Sequence, residues 1–285
     1  MNIAFFGTGI LGFPMAEKIL EAGHRLRVYN RTKVKAEPLA KKGAVLCANP
    51  AEALKDSDVV VLVLADFPAV EKVLFKSDLG SFKGKTFIQM GTIASKESRM
   101  LAQKIHNCGG EYFECPVLGS KIEAASASLI LMVGATPEQF KQWRGFLQCF
   151  GRQPRHIGPV GTASALKLAL NHLIASHAVS FSLSLGLVQK SGVDISQFMA
   201  ILGESSLTAP MFAKKLPNWL EHRYDNPNFS LKHLVKDVDL IVKEARDNKL
   251  DTTVIRSIKN VLEKSVKKGL GGKDYSAVYE TINKI

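Results

Sequence analysis

The sequence predicts an α/β domain over residues 1–161, built on a mostly parallel sheet, followed by an all-helical domain over residues 162–285. Short apolar runs alternate with amphipathic helical segments up to residue 158, which is typical of β-α-β units. Beyond residues 156–161 only helical patterns follow. With 285 residues, 46% of them hydrophobic and 22% charged, the chain is long and apolar enough to bury a real core.

Apolar runs bounded by turn residues predict the strands of the first domain. They are Ile3–Gly7, Leu26–Asn30, Ala44–Ala48, Val59–Ala65, Thr86–Gly91, Tyr112–Val117 and Leu129–Gly134. Helical patterns fall between most of these strands, at residues 10–22, 32–42, 50–56, 67–75, 94–107 and 136–150.

Helices account for the second domain. They are predicted at residues 162–191, 194–203, 208–222, 230–248, 251–267 and 274–283. Gly192 suits the end of the long first helix, and Asp194 or Ser196 can cap the next one. Residues 164–190 are apolar enough to resemble a membrane span, but Lys167 and Asn171 within them favour a helix buried on most sides in a soluble protein.

Charge and cysteine content narrow the class of protein. The four cysteines and seven histidines show no metal-ligand spacing, so we expect no metal site and a reducing, cytoplasmic environment. The formal charge of +12 has three interpretations: a solvated basic face, a nucleic-acid surface, or attraction of an anionic cofactor and substrate. No aromatic-basic module accompanies the charge, so neither nucleic acid nor a membrane is a predicted partner.

A glycine-rich loop follows the first predicted strand and opens a helix. Gly7-Thr8-Gly9-Ile10-Leu11-Gly12 fits the G-x-G-x-x-G pattern in that context. Its glycines allow a tight turn, a close backbone approach to a pyrophosphate and close helix–strand packing, while the helix start offers free N–H groups. The sequence therefore predicts a Rossmann-type dinucleotide-binding domain, the alternative being merely a tight turn.

The end of the second predicted strand favours NADP(H) over NAD(H). An NAD enzyme usually carries Asp or Glu there for the ribose hydroxyls. This chain has Asn30-Arg31-Thr32, with Lys35 beyond. Asn and Thr can hydrogen-bond to a 2′-phosphate and Arg can pair with it, whereas a carboxylate would repel it. The alternative is that Arg31 is only a surface arginine.

Lys167 stands out near the start of the long apolar helix. Asn171 follows it by four residues, so both project from one helix face. A lysine in such a helix needs water, a partner or a ligand. From the residues alone, a functional lysine and a lysine that extends to solvent are equally good interpretations.

Four spaced motifs resemble the β-hydroxyacid dehydrogenase family, which includes 3-hydroxyisobutyrate dehydrogenases and glyoxylate/succinic semialdehyde reductases. They are Gly7–Met15, Glu114–Ser120, the spacing Gly161-x5-Lys167-x3-Asn171, and Phe229–Asp237. Together with Ala209–Phe212, the last motif resembles the glyoxylate/succinic semialdehyde reductases. The similarity covers essentially the whole chain.

The resemblance implies residue roles for an NADP(H)-dependent reduction of a small anionic carbonyl compound, such as succinic semialdehyde or glyoxylate, to a hydroxy acid. Lys167 would be the general acid and Asn171 would position the lysine or the substrate. The substrate set implied is Thr92, Leu118, Gly119, Ser120, Phe229 and Asp237. The cofactor set is Gly7, Thr8, Gly9, Ile10, Leu11, Gly12, Asn30, Arg31, Thr32, Lys35, Leu64, Ala65, Asp66, Thr92 and Lys236.

Other interpretations remain for single members of these sets. Thr92 could be a helix cap, Phe229 a core residue, and Lys236 and Asp237 surface charges. The family pattern also implies a homodimer or homotetramer, in agreement with the apolar length of residues 164–190. Two alternatives for the whole chain are an enzyme oxidising 3-hydroxy acids such as 3-hydroxyisobutyrate and a non-catalytic NADPH-binding module.

The chain departs from the family pattern at four positions. Leu118 stands where a serine usually helps to hold the substrate carboxylate, and Ser120 is the nearest hydroxyl that could replace it. Gly91 stands where serine is common, and Ala127 and Ala163 stand near usual glycines. These changes predict a less polar pocket that favours a longer or less acidic carbonyl compound than glyoxylate.

Overall fold

The computed structural model describes residues 1–76 and 79–284, and the chain divides into two compact units, Met1–Leu168 and Ala169–Ile285. Nine strands lie in the described part of the first unit. They are β1 (Asn2–Phe6), β2 (Arg25–Tyr29), β3 (Val45–Leu46), β4 (Val59–Leu62), β5 (Thr86–Gln89), β6 (Glu111–Glu114), β7 (Val117–Leu118), β8 (Ile130–Gly134) and β9 (Arg155–Gly158).

The strands form one sheet in the order β3-β2-β1-β4-β5-β6-β8-β7, with β9 paired to β8. Every pairing from β3 to β6 is parallel, and the strand order β3-β2-β1-β4-β5-β6 is that of a Rossmann fold. β8 runs antiparallel to both β6 and β7. The predicted fold class, a Rossmann-type α/β domain followed by a helical domain, is confirmed.

Helices cover this sheet. They are α1 (Gly12–Glu21), α2 (Glu37–Ala40), α3 (Pro50–Leu54), α4 (Phe67–Phe75), α5 (Ser95–Asn107), α6 (Lys121–Ala125) and α7 (Pro137–Leu147). Successive strand residues point to opposite faces, so Ile3 and Phe5 join one apolar layer while Ala4 and Phe6 join the other. Because both layers are buried, the strands read as continuous apolar runs rather than alternating ones.

The second unit is helical and begins inside the longest helix. The helices after α7 are α8 (Thr162–Lys190), α9 (Ile195–Glu204), α10 (Pro210–Leu220), α11 (Leu231–Asp247), α12 (Thr253–Lys267) and α13 (Val278–Ile282). An aromatic cluster centred on Phe181, Phe212 and Trp219 packs α8 against α10. Beside it, the buried Lys215 ammonium pairs with both carboxylate oxygens of Asp274, at 2.8 and 2.7 Å.

Helix ends follow the predicted capping chemistry. Gly192 has a φ of +71° after α8, a conformation that glycine adopts without strain. The Asp194 side chain accepts a hydrogen bond from the Gln197 amide at 3.0 Å, which makes it the cap of α9.

Several predicted elements differ from the structure. The strand predicted over Tyr112–Val117 is two strands, β6 and β7, because Pro116 lacks the N–H that a continuous ladder needs. The five-residue α6 and the polar, exposed β9 were missed because neither has enough apolar periodicity. The helix predicted at 32–42 is a 3-10 turn followed by α2, and the helix at 274–283 likewise begins with a 3-10 turn.

Helix α8 is less buried than predicted. By length and composition it could cross a membrane, a test that core helices of soluble proteins also satisfy, and 39% of its most apolar window is buried. Leu173, Leu183 and Leu187 are 49%, 63% and 67% exposed. The prediction that this helix is buried on most sides is therefore wrong for the single chain, because other parts of the chain cover only part of the apolar surface of α8.

Candidate active site

The glycine loop after β1 has the geometry that the motif predicts. Gly7 has a φ of +102°, and a Cβ there would lie 2.3 Å from the Val63 carbonyl oxygen. A Cβ on Gly12 would lie 2.0 Å from the Gly7 carbonyl oxygen, so α1 packs closely against β1 only because residue 12 is glycine. Gly9 instead faces open space, since a Cβ there would have no other atom within 4 Å among the described residues.

Asn30 braces this loop from the end of β2. Its Oδ1 accepts a hydrogen bond from the Thr8 amide at 2.9 Å, and its Nδ2 donates to the Thr32 carbonyl oxygen at 2.7 Å. The side chains of Arg31, Thr32 and Lys35 are exposed beyond it. The predicted nucleotide-binding residues on these two loops therefore lie side by side at the carboxyl ends of β1 and β2.

The loops after β4 and β5 lie at the same sheet edge. Leu64 and Ala65 follow β4, and Asp66 caps α4 by accepting a hydrogen bond from the Ala69 amide at 2.8 Å. A Cβ on Gly91 would lie 2.4 Å from the Leu64 carbonyl oxygen, which explains glycine at a position where serine is common. These two loops touch each other, and a side chain at position 91 would push them apart.

Thr92 follows that contact and is half-buried. The cap of α5 is Ala94, and its N3 residue, Glu97, accepts a hydrogen bond from the Ala94 amide at 2.9 Å. Thr92 therefore is not the helix cap, which was the alternative interpretation of this residue.

Leu118 is the last residue of β7, and Ser120 lies two residues later, at the start of α6. Leu118 is half-buried, and Gly119 has a φ of +133°, where a Cβ would lie 2.7 Å from Leu129 Cδ2. The Ser120 hydroxyl donates to the Glu123 carboxylate at 2.5 Å, as does the Ser120 amide at 2.7 Å. Because this hydroxyl already binds a carboxylate at the start of α6, it is a poor replacement for the missing serine as a partner of a substrate carboxylate.

Downstream, Ala127 has a φ of +49°, in the region that favours glycine. The family's usual glycine near this position therefore matches a real backbone requirement, which this chain meets with alanine.

Lys167 lies in the second turn of α8 and is only 9% exposed. One helical turn later, Asn171 is 1% exposed. The alternative in which Lys167 extends freely into solvent is therefore excluded by its burial. A buried ammonium requires compensating polar groups.

In the second unit, Asn171 forms a hydrogen bond with Asp237, the last residue of the Phe229–Asp237 motif. Its Nδ2 donates to Asp237 Oδ2 at 2.7 Å, and Asp237 Oδ1 lies 2.7 Å from the Lys236 ammonium. Asp237 is 3% exposed, so it is not a surface charge. Among the described residues, the Asn171 side-chain oxygen is buried without a hydrogen-bond partner. Phe229 is half-buried, with its ring 6.0 Å from that of Tyr275.

Comparisons with known proteins agree along the whole chain. Residues 2–158 match the model of the NAD-binding domain of 6-phosphogluconate dehydrogenase, and residues 161–282 match that of the NAD-binding domain of NADP-dependent 3-hydroxyisobutyrate dehydrogenase. Glyoxylate/succinic semialdehyde reductase 1 of Arabidopsis thaliana is 32% identical over 287 residues, covering 99% of this chain and 98% of the relative. The chain belongs to the β-hydroxyacid dehydrogenase family.

A further relative supports this assignment, and a solved structure shows the same fold. The mitochondrial 3-hydroxyisobutyrate dehydrogenase of Drosophila melanogaster is 30% identical, over 99% of this chain and 90% of the relative. A solved Mycobacterium tuberculosis 3-hydroxyisobutyrate dehydrogenase with L-serine superposes with a TM-score of 0.89 at 22% identity, covering 98% of each chain. This β-hydroxyacid dehydrogenase is an NAD(P)-dependent oxidoreductase acting on CH–OH groups, as the family resemblance implied.

The loop of this β-hydroxyacid dehydrogenase fits a dinucleotide. α1 has no side-chain cap at its start, and Gly9 leaves open space in front of the loop. The Phe13 amide donates to the Gly9 carbonyl oxygen at 3.0 Å and Pro14 has no N–H, so binding of phosphate oxygens falls to the amides before Phe13. Thr8 adds a hydroxyl that is buried without a hydrogen-bond partner among the described residues. Cofactor binding by the predicted loop is therefore compatible with the backbone as it stands.

Glu114, the last residue of β6 in this β-hydroxyacid dehydrogenase, is a residue for which the sequence predicted no role of its own. It is fully buried, and the hydroxyl groups of Ser98 in α5 and Ser164 in α8 both donate hydrogen bonds to its carboxylate. Burial, with the Glu114 carboxylate second, raises the pKa of both the Tyr112 hydroxyl and the Cys115 thiol, so these neighbours stay neutral. Two signals pointed to Glu114 in the sequence: it follows two apolar residues at the end of a strand, and it opens the motif Glu114–Ser120.

Proposed function

We propose that this enzyme reduces the carbonyl group of small aldehyde-acids or 2-oxo acids to the hydroxy acid, using NADPH. Succinic semialdehyde and glyoxylate are the first substrates to test, because two relatives at 32% and 30% identity over 99% of the chain carry those compounds in their names. The observation that carries the proposal is that Lys167 is only 9% exposed and lies one helical turn before the buried Asn171.

Carbonyl reduction needs a hydride at carbon and a proton at oxygen. Reduced nicotinamide supplies the hydride when it is bound. Lys167 Nζ then donates its proton to the substrate oxygen, and its positive charge stabilises the negative charge that develops there before the proton moves. Lys167 becomes neutral in this step and regains a proton from water before the next turnover.

Asn171 is suited to orient the reacting groups. Since Asp237 Oδ2 accepts the Asn171 Nδ2–H, the amide is held with Oδ1 as the available acceptor. An acceptor in that position can hold the hydroxyl group formed on the substrate. Lys236, paired with the other Asp237 oxygen, helps to hold the Asp237 side chain in place.

The proposed preference for NADPH rests on the loop after β2. Arg31 and Lys35 are exposed there, and both can reach a phosphate from solvent. The strand is followed by Asn30 rather than by a carboxylate, so nothing at that position repels a 2′-phosphate.

A second candidate is oxidation of a 3-hydroxy acid of the 3-hydroxyisobutyrate type. The half-buried Leu118 favours it, because an apolar side chain in the substrate loop suits a methyl-bearing substrate better than glyoxylate. The relative named 3-hydroxyisobutyrate dehydrogenase supports the same substrate class. Comparing catalytic efficiencies across both substrate sets, with both cofactors, distinguishes the two.

We also propose that the protein forms a homodimer or homotetramer. Leu173, Leu183 and Leu187 leave an apolar stripe of α8 exposed in the single chain. Another copy of the chain would bury it.

Replacement of Lys167 tests the mechanism. General acid catalysis contributes about 10²–10⁴-fold, so Lys167→Ala should lower kcat by about that factor while the Kd for NADPH stays unchanged. Steady-state kinetics with succinic semialdehyde and glyoxylate measure the first quantity, and cofactor fluorescence titration measures the second.

Lys141→Ala is the matched control, since Lys141 is an exposed lysine of α7. It should leave both quantities unchanged. Near-normal turnover in Lys167→Ala would remove this lysine from the chemistry and overturn the mechanism.

A further inference from the structure

Glu114 is fully buried at the end of β6, and four hydrogen-bond donors surround its carboxylate. Oε1 accepts from the amides of Gly161 and Ser164, at 2.9 and 3.0 Å. Oε2 accepts from the hydroxyls of Ser164, at 2.6 Å, and Ser98. An ionised carboxylate offers about four acceptor positions, so all of them are used by these donors.

Three of the four hydrogen bonds come from the beginning of α8. The first amides of a helix have no partner within it. Here Gly161 and Ser164 donate theirs to Glu114, Thr162 donates to the Pro159 carbonyl oxygen at 3.1 Å, and Ala165 makes the first bond within the helix, to Gly161. Glu114 therefore caps α8 from a strand 47 to 50 residues earlier in the chain.

The carboxylate is itself held rigidly. The Ser98 hydroxyl uses its single O–H as the donor of the hydrogen bond to Glu114. The neutral Tyr112 hydroxyl, 2.7 Å away, must therefore donate to the Ser98 oxygen. On β8, a Cβ at Gly134 would lie 2.5 Å from Glu114 Oε1, so glycine at this position makes room for the carboxylate. The sheet and α5 together fix where the first turn of α8 can lie.

We propose that Glu114 is a positioning residue for catalysis: its carboxylate fixes the first turn of α8 and thereby places Lys167, three residues after Ser164, at the reacting carbonyl. The inference rests on the proposed role of Lys167. A helix rises about 1.5 Å per residue, so Lys167 lies less than one turn beyond Ser164 on the same rigid helix. A displacement of the first turn therefore moves the backbone of Lys167 with it. Buried negative charge at this end of the helix also agrees with the direction of the helix dipole.

A double-mutant cycle tests the inference. Glu114→Ala should lower kcat about 10- to 100-fold, the effect of misplacing a catalytic group by about 1 Å, with little change in KM or in the Kd for NADPH. In the Lys167→Ala background, where no lysine remains to be placed, Glu114→Ala should cause no further loss of kcat. A purely structural role would instead give losses that multiply.

Glu114→Gln is the conservative variant. Its amide oxygen can still accept from Gly161 and Ser164, while its nitrogen can donate to the two serine hydroxyls. It should retain most of kcat, and a loss equal to that of Glu114→Ala would overturn the proposal. If Glu114→Ala does not fold, Ser164→Ala takes its place in the cycle, with a smaller loss in the same direction.

Ser57→Ala is the matched control for Ser164→Ala, because Ser57 is also buried and its hydroxyl donates to the Ala53 carbonyl oxygen, away from α8. It should leave kcat unchanged. Normal turnover in Lys167→Ala would show that the proposed function has failed. A strong loss in Lys167→Ala together with an unchanged kcat in both Glu114→Ala and Ser164→Ala would overturn the positioning role alone.

Discussion

At the scale of single residues, the proposed preference for NADPH rests on the loop after β2. Asn30 is engaged by the Thr8 amide and the Thr32 carbonyl, so it shapes the loop, whereas Arg31 is exposed and available to a phosphate. The two neighbours therefore have separable roles, and of these two residues the arginine is the one whose charge we propose distinguishes NADPH from NADH.

Arg31→Ala should raise the Kd for NADPH at least about ten-fold and leave the Kd for NADH unchanged, because a charge-assisted hydrogen bond contributes about 1.5–3 kcal/mol. Fluorescence titration with both cofactors measures this. Arg25→Ala, an exposed arginine at the opposite end of the same strand, is the control. Equal losses for both cofactors would contradict the assignment.

Residue-level prediction succeeded for local backbone geometry. The glycine loop, with its turn at Gly7 and its close packing at Gly12, is recognisable because its residues are contiguous. Glu114 was missed because its partners, Gly161 and Ser164, lie far along the chain and are joined to it only by the fold. The hydrogen bond from Ser120 to Glu123 matches a capping pattern, but the sequence alone did not show that Glu123 engages the Ser120 hydroxyl.

At the scale of elements, an ion pair joins α10 to the segment before α13. Lys215 is 7% exposed and Asp274 is 2% exposed, and the Tyr275 ring lies 4.8 Å from the ammonium. Asp274 also accepts hydrogen bonds from the amide and hydroxyl of Ser276. The pair therefore fixes the aromatic side of the helical unit.

Lys215→Ala should lower the free energy of unfolding by about 3–5 kcal/mol, because it leaves the Asp274 carboxylate buried without its counter-charge. Urea unfolding followed by tryptophan fluorescence measures the change, since Trp219 lies in the same unit. Lys214→Ala, at the exposed neighbouring position, should change it by less than about 0.5 kcal/mol. Equal effects of the two substitutions would show that the ion pair contributes little.

Element prediction succeeded for long periodic segments and failed for short ones. Residues 67–75 were predicted as a helix and form α4 with the same limits. By contrast, β9 is short and half-exposed, and it exists because β8 offers it a parallel partner. Tertiary pairing of this kind leaves no periodicity in the strand itself.

At the scale of the whole molecule, the change from alternating to purely helical patterns gave the correct fold class. The sequence pattern did not predict how much of the surface of α8 the rest of the same chain buries. Leu183 and Leu187 remain 63% and 67% exposed, which is unusual for leucines so close together on one helix.

Leu183→Glu combined with Leu187→Glu should convert the proposed oligomer to monomers, because charged side chains on the stripe would have to be buried without partners. Sedimentation velocity measures the assembly, and circular dichroism checks that the fold is retained. Leu250→Glu, at a leucine that is 64% exposed outside α8, is the control. An unchanged sedimentation coefficient in the double variant would place the interface elsewhere.

The bracing role of Asn30 bears on redesign of this enzyme for a different electron donor. An aspartate at position 30 would still accept the Thr8 amide, but its second oxygen would face the Thr32 carbonyl oxygen across the present 2.7 Å contact. Two acceptors at that distance repel each other. A switch from the proposed NADPH to NADH through this residue therefore also requires a different conformation of the turn that follows it, because the side chain at position 30 holds that turn.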